Sequence, residues 1–112
     1  MNQFKQLPEF EKELSKLSKK YQSLPEDLKK LERLISQNPT GMGTNFVIIH
    51  HSDEVKIVKT RLACKSLKDR SVRVIYAYHH NVFTFVFIEI YFKGVKENED
   101  YKRIKDYLVK IR

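Results

Sequence analysis

The chain reads as an α+β fold: an N-terminal helical hairpin packed on a three- to four-stranded antiparallel sheet, with a C-terminal helix. Three features of the 112-residue sequence point to it. Leucine stripes at helical spacing fill the first part, a loop holding two of the three glycines follows, and the apolar pattern then changes to the alternation of strands. A helical stripe returns after Gly94.

In the first helix Leu7, Phe10, Leu14, Leu17 and Tyr21 recur at steps of three and four, with charged residues between them. Pro8 suits its first turn, and early acids with late bases suit the helix dipole. The second helix is announced by Ser23-Leu24-Pro25-Glu26, which has the form of a capping box, and continues through Leu28, Leu31, Leu34 and Ile35 to a stop at Asn38-Pro39. Residues 38–45 form the loop. Phe46 to Ile49, Val55 to Leu62, Arg73 to Tyr78 and Val82 to Phe92 are rich in β-branched and aromatic residues and are predicted strands. His50 to Glu54 joins the first two, and His79-His80-Asn81 is expected to be a tight hairpin turn. Strict alternation puts Phe83, Phe85, Phe87, Glu89 and Tyr91 on one face of the last strand, and its two apolar faces place it centrally. A short edge strand around Phe4 is a further expectation. Glu97 to Arg112 carries Tyr101, Ile104, Tyr107, Leu108 and Ile111 at helical spacing. Helices are expected on one sheet face, leaving the other for function.

Length and composition fit one domain over residues 1–112, with 41% hydrophobic and 32% charged residues arguing against a disordered chain. Nothing resembles a secretory signal or a bilayer span, and the lone Cys64 asks for no oxidising compartment, so a cytoplasmic protein is expected. The net charge of +8 is unevenly spread. Lys56, Lys59, Arg61, Lys65, Lys68, Arg70 and Arg73 face only Asp69 within residues 55–73, whereas charges balance before them. Such a patch attracts polyanions.

Residues two apart on a strand share a face, so Lys59 and Arg61 are companions. Arg73 opens the next strand and Lys93 follows the last, so a meander permits a cluster of Lys59, Arg61, Arg73 and Lys93, with Tyr91 on the face of Lys93. Lys56, Lys65, Lys68, Arg70 and Lys96 are the further candidate RNA-binding cations. The pairs His50-His51 and His79-His80 invite a metal reading, but adjacent histidines point apart and no Cys or acid shows ligand spacing, so no metal and no small-molecule cofactor is expected.

The order Asn38-Pro39-Thr40-Gly41, Val58-Lys59-Thr60-Arg61-Leu62, Arg73-Val74-Ile75-Tyr76, Glu89-Ile90-Tyr91-Phe92-Lys93 and Lys96-Glu97-Asn98 resembles the pattern of RelE/ParE superfamily toxins, over roughly residues 8 to 105. The resemblance implies a compact α+β toxin of a type II toxin-antitoxin system. In the RelE branch it implies an mRNA interferase, an endoribonuclease that cuts messages in the ribosomal A site without metal. Its implied partners are mRNA, the ribosome and a cognate antitoxin; a ParE-like inhibitor of DNA gyrase is the alternative branch. Lys59, Arg61, Arg73 and Lys93 fall on the family's basic positions. The family's C-terminal tyrosine has no clean counterpart, since counting from Lys93 reaches Glu99, with Tyr101 and Tyr91 nearby.

Cleavage by the 2′-hydroxyl needs a proton acceptor, cations for the charge growing on phosphorus and a donor for the leaving oxygen. Arg61 and Arg73 suit the second task, since guanidinium binds phosphate oxygens in a fork. Lys59, beside like charges, is expected to lose proton affinity and act as base, with Glu89 or Glu97 as other candidate bases. Lys93 or Tyr91 is the candidate donor. A third reading is an RNA-binding module without catalysis.

Overall fold

The computed structural model describes residues 2–41, 43–67 and 72–111. In chain order it holds β1 (Gln3–Gln6), α1 (Pro8–Lys20), α2 (Leu24–Gln37), β2 (Phe46–His51), β3 (Lys56–Leu62), β4 (Val72–His79), β5 (Thr84–Phe92) and α3 (Tyr101–Lys110). The strands form one five-stranded sheet in the order β1-β5-β4-β3-β2. β2 to β5 are an antiparallel meander, but β1 runs parallel to β5, with Gln3 opposite Thr84 and Gln6 opposite Phe87.

The sheet is therefore mixed and five-stranded, beyond the three- to four-stranded antiparallel sheet expected, and the short edge strand expected around Phe4 is present as β1, ahead of the helical hairpin. Packing explains this. Gln3–Gln6 has almost no apolar content of its own, yet Phe4 stacks on Phe85 at 4.9 Å and on Phe87 at 6.2 Å between ring centroids. Such aromatic pairs contribute about 0.5–1.5 kcal/mol beyond area burial.

Two apolar layers sandwich the sheet. On one face Phe10, Leu24, Leu28, Leu31 and Ile35 of the first two helices pack on Val58, Val74, Tyr76, Phe85 and Phe87. On the other, Ile104 and Tyr107 of α3 pack with Val55, Ile57, Ile75, Ala77, Val86 and Ile88. The second face is thus partly covered, contrary to the expectation that all helices lie on one side.

β5 reconciles the two faces by a bulge. Tyr76 pairs with Phe87 while Ile75 pairs with Glu89, so the ladder slips at Ile88 and two residues of β5 oppose one step of β4. Phe85 and Phe87 face the first two helices, but beyond the bulge Glu89 and Tyr91 turn toward the α3 side, because their partners Ile75 and Arg73 lie there. This overturns the assignment of all five to one face.

Local chemistry corrects two smaller expectations. Ser23 does not cap α2 through a capping box; its hydroxyl donates to Asp27 at 2.8 Å and accepts from the Ser66 amide at 2.9 Å, tying the start of α2 to the segment after β3. The β4–β5 turn runs through residues 80–83 and includes Val82, with Phe83 at φ 49°. In the loop after α2, Gly41 adopts φ 73°, and a Cβ there would meet the Phe46 ring at 2.1 Å.

Candidate functional site

Register on β3, β4 and β5 sets two adjacent rows across the α3 side of the sheet: Lys59, Ile75 and Glu89 in one, Arg61, Arg73 and Tyr91 in the next. Paired residues on neighbouring strands share a face at short Cβ separations. Lys59, Arg61, Arg73 and Tyr91 are thereby brought together from three strands.

Burial then differentiates them. Arg61 is exposed, and its guanidinium makes no hydrogen bond or ion pair among the described residues. Arg73 is buried, with Nη1 donating to the Val72 carbonyl at 3.5 Å among its contacts. Tyr91 is buried as well, and its hydroxyl faces the Lys59 ammonium without a well-formed hydrogen bond to it. Burial pushes the Tyr91 phenol above its ordinary range, and Lys59 only partly offsets this.

The segment between β5 and α3 closes over these rows through carboxylates. Glu99 is buried and its Oε1 accepts from the Lys59 ammonium at 2.9 Å. The fully buried Glu89 accepts from the Lys96 ammonium and, at 2.8 Å, from the Asp100 amide. Lys96 also sits 5.5 Å from the centre of the Tyr91 ring, a cation–π distance. Asp100 in turn caps α3, accepting from the Arg103 amide at 3.0 Å.

A further carboxylate, that of Glu13, serves the open edge of β5. Beyond Phe87 that strand has lost β1 as a neighbour, and side chains take over its ladder: the Ile90 amide donates to Glu13 at 3.3 Å, and Arg103 donates to the Ile88 carbonyl at 2.9 Å. Arg103 and Glu13 are joined by two bonds of 2.8 Å, so α1, α3 and β5 meet there.

Several expectations change. Lys59 does not lose proton affinity: burial works against its charge, but Glu99 on its ammonium and the neighbouring Tyr91 outweigh burial and hold its pKa above the ordinary lysine value. Glu99 correspondingly lies below the ordinary carboxylate range, since Lys59 overcomes the effect of its burial. Glu89 is enclosed and occupied, which does not suit a base. Glu97 is exposed.

The remaining cations are dispersed. Lys93 is exposed in the turn that follows β5, one residue past the strand end. Lys56 shares the opposite face with Val58, because β3 runs without a bulge. Lys65 is exposed in the segment after β3, where its amide donates to Asp27 at 3.1 Å. Lys96 is engaged by Glu89, and Lys68 and Arg70 lie outside the described residues.

His50 and His51 are on β2; His79 ends β4 and bonds through Nε2 to the Tyr107 hydroxyl. No group of three metal-binding side chains occurs among the described residues, and no helix there is long and apolar enough to cross a membrane.

No family model matches this chain, and no curated protein does. Among solved structures it is similar to a chain of the archaeal RelE–RelB complex from Pyrococcus horikoshii OT3, at a TM-score of 0.65 and 14% identity, over 83% of this chain and 96% of that one. The likeness is one of fold, an α+β arrangement of helices on a sheet.

Proposed function

We propose that this chain is the toxin of a toxin–antitoxin pair and that it cleaves messenger RNA on the ribosome by attack of the 2′-hydroxyl on the adjacent phosphorus. The step forms a 2′,3′-cyclic phosphate and breaks the P–O5′ bond, while the 2′-hydroxyl proton passes to water and the leaving 5′-oxygen takes up a proton. The observation that carries this reading is the row Arg61, Arg73, Tyr91 beside Lys59, where β3 and β4 deliver cations and β5 a phenol to one end of a sheet face, with Arg61 open to solvent. Arg61 grips the scissile phosphate, Arg73 adds positive potential behind it, and Lys59 is the nearest ammonium to the charge that grows on phosphorus. Tyr91, kept protonated by burial, is a hydrogen-bond donor beneath them. Lys65 and Lys93, both exposed, offer further positive charge to flanking phosphates. An acidic protein partner fits the net charge of +8, and the presence of RelB with RelE in the similar structure supports reading that partner as an antitoxin.

The test is addition of the purified protein to a translating extract, with message ends mapped. Cleavage within translated codons is expected, and Arg61→Ala should lower its rate by about a hundredfold, the usual cost of removing one donor to a developing oxyanion. Intact messages with impaired supercoiling would transfer the reading to gyrase inhibition. Salt-steep RNA binding without any cleavage would reduce it to a binding module.

A further inference from the structure

We infer that Glu99 is a positioning residue that keeps Lys59 charged and aimed at the open end of the sheet face, so that Lys59 meets RNA as a fixed cation and not as a base. The inference rests on the RNA-cleaving reading for its consequence in catalysis, but its geometry stands independently. Glu99 is 7% exposed and lies 40 residues from Lys59 in sequence, yet their side chains meet at 2.9 Å. Burying a carboxylate is costly unless it is paired and hydrogen-bonded, and Lys59 supplies that pairing.

Glu99 is also held from both sides. Lys96, three residues before it, and the amide of Asp100, directly after it, both bind the same buried carboxylate, Glu89. The bulge at Ile88 is what turns Glu89 to that side of the sheet. One strand irregularity therefore sets the 96–100 segment, and that segment sets Glu99.

The groups around Lys59 make the need clear. Arg61 is two residues away on the same face, Arg73 is on the neighbouring strand, and Lys96 reaches over Tyr91. Each of these cations and the partial burial of Lys59 disfavour an ammonium there. Against them stand Glu99, the Tyr91 phenol and, one position across β4, Glu89, itself occupied by Lys96. An ammonium has three donors, and Glu99 takes one, leaving the others for phosphate oxygens. The raised affinity of Lys59 for its proton agrees with this balance.

The decisive measurement is an NMR titration of the Lys59 side chain, assigned with Lys59→Arg, in the folded protein without RNA. Lys59 is expected to titrate above 10.5, the ordinary lysine value, and to fall in Glu99→Gln. A wild-type Lys59 that titrates below the ordinary value overturns the inference, even if Glu99→Gln does not fold. In the cleavage assay, Glu99→Gln should bring the alkaline limb to lower pH and lower the rate along it. Glu99→Asp should restore the limb, and Asp106→Asn, which removes an exposed carboxylate of α3, should leave it in place. Tighter RNA binding by Glu99→Gln with an unmoved limb would make Glu99 a competitor of phosphate and end the proposal. A protein that cleaves no RNA but shows the expected titration would remove the catalytic reading alone.

Discussion

The two faces of the sheet are made by the same strands and do different work. Toward α1 and α2 the side chains are mostly aromatic and aliphatic, with Phe87 stacked on Phe10 at 5.3 Å and Tyr78 on Phe85 at 4.6 Å. Toward α3 only one end is apolar, and the other holds Glu89, Lys59, Arg73 and Tyr91 under a segment that supplies Glu99 and Lys96. Paired charges at a buried site rarely stabilise more than apolar side chains of the same volume would. The ionic end is therefore better explained by what it positions than by what it stabilises. The bulge in β5 lets one strand contribute Phe85 and Phe87 to the first face and Glu89 and Tyr91 to the second.

The comparison is broken most directly at Phe87. Truncation to alanine should cost about 3–5 kcal/mol, the usual range for a fully buried phenylalanine, read as a fall in the urea midpoint at unchanged slope. A loss below about 1 kcal/mol would mean that the aromatic face does not dominate stability. On the other face, Glu89→Ala should cost about 2–3 kcal/mol, since two donors lose a buried charged acceptor. Its signature is local: the amides of residues 96–104 should exchange faster while those of β3 and β4 stay protected. Uniform loss of protection would show that Glu89 belongs to the global core.

Local signals carried most of the architecture. The stripes of α1, α2 and α3 and the β-rich runs of β2 to β5 are written in consecutive residues, so spacing reveals them. β1 shows there only as a short edge strand around Phe4, and its parallel pairing with β5 is not written locally, because Phe4 is held against rings some eighty residues away. The bulge leaves no mark in Phe87-Ile88-Glu89, where no glycine or proline interrupts the alternation, so Glu89 and Tyr91 are assigned to the wrong side. The convergence of Lys59, Arg61, Arg73 and Tyr91 is legible because register on adjacent strands is enough to produce it. Glu99 surfaces in the sequence only as a mismatch, the acid reached where a tyrosine is sought. Its meeting with Lys59 depends on how residues 93–100 fold back, which no periodicity encodes. Glu13 and Arg103 are hidden in the same way, as ordinary charged residues of two amphipathic helices.

That pair offers a smaller and sharper cut. Arg103→Ala removes the fork on Glu13 and the donor to the Ile88 carbonyl, and should cost about 1–2 kcal/mol, less than the buried Glu89 because both partners keep access to water. Glu13→Gln keeps an acceptor for the Ile90 amide but loses the charge on Arg103, and should cost less. If the Ile90 amide exchanges faster in Arg103→Ala while Phe85 and Phe87 remain protected, the side chains do stand in for the missing strand. Equal protection at all three positions would show that the edge is sealed by something else.

The smallest effect lies at the far end of the α3 face, where His79 bonds to Tyr107. Burial lowers the His79 pKa below 6.5, and His80 and Lys5 lower it further against the opposing pull of Glu54. Burial also pushes the Tyr107 phenol up to about 12, so it stays protonated and can donate to a neutral imidazole. The folded protein then binds fewer protons at this site than the unfolded chain does. Stability from the contact is complete above about 6.5 and declines as pH falls through the interval between the unfolded and folded values. Glu32 of α2, whose carboxyl burial raises above 4.5, changes stability with the opposite sign, gaining as pH falls, so an acid-side loss belongs to α3 docking. His79→Asn should flatten the acid side of a stability–pH curve without moving its plateau above neutrality by more than the lost hydrogen bond, about 1 kcal/mol. An unchanged acid slope would place the titration elsewhere and leave the α3 face independent of pH in this range.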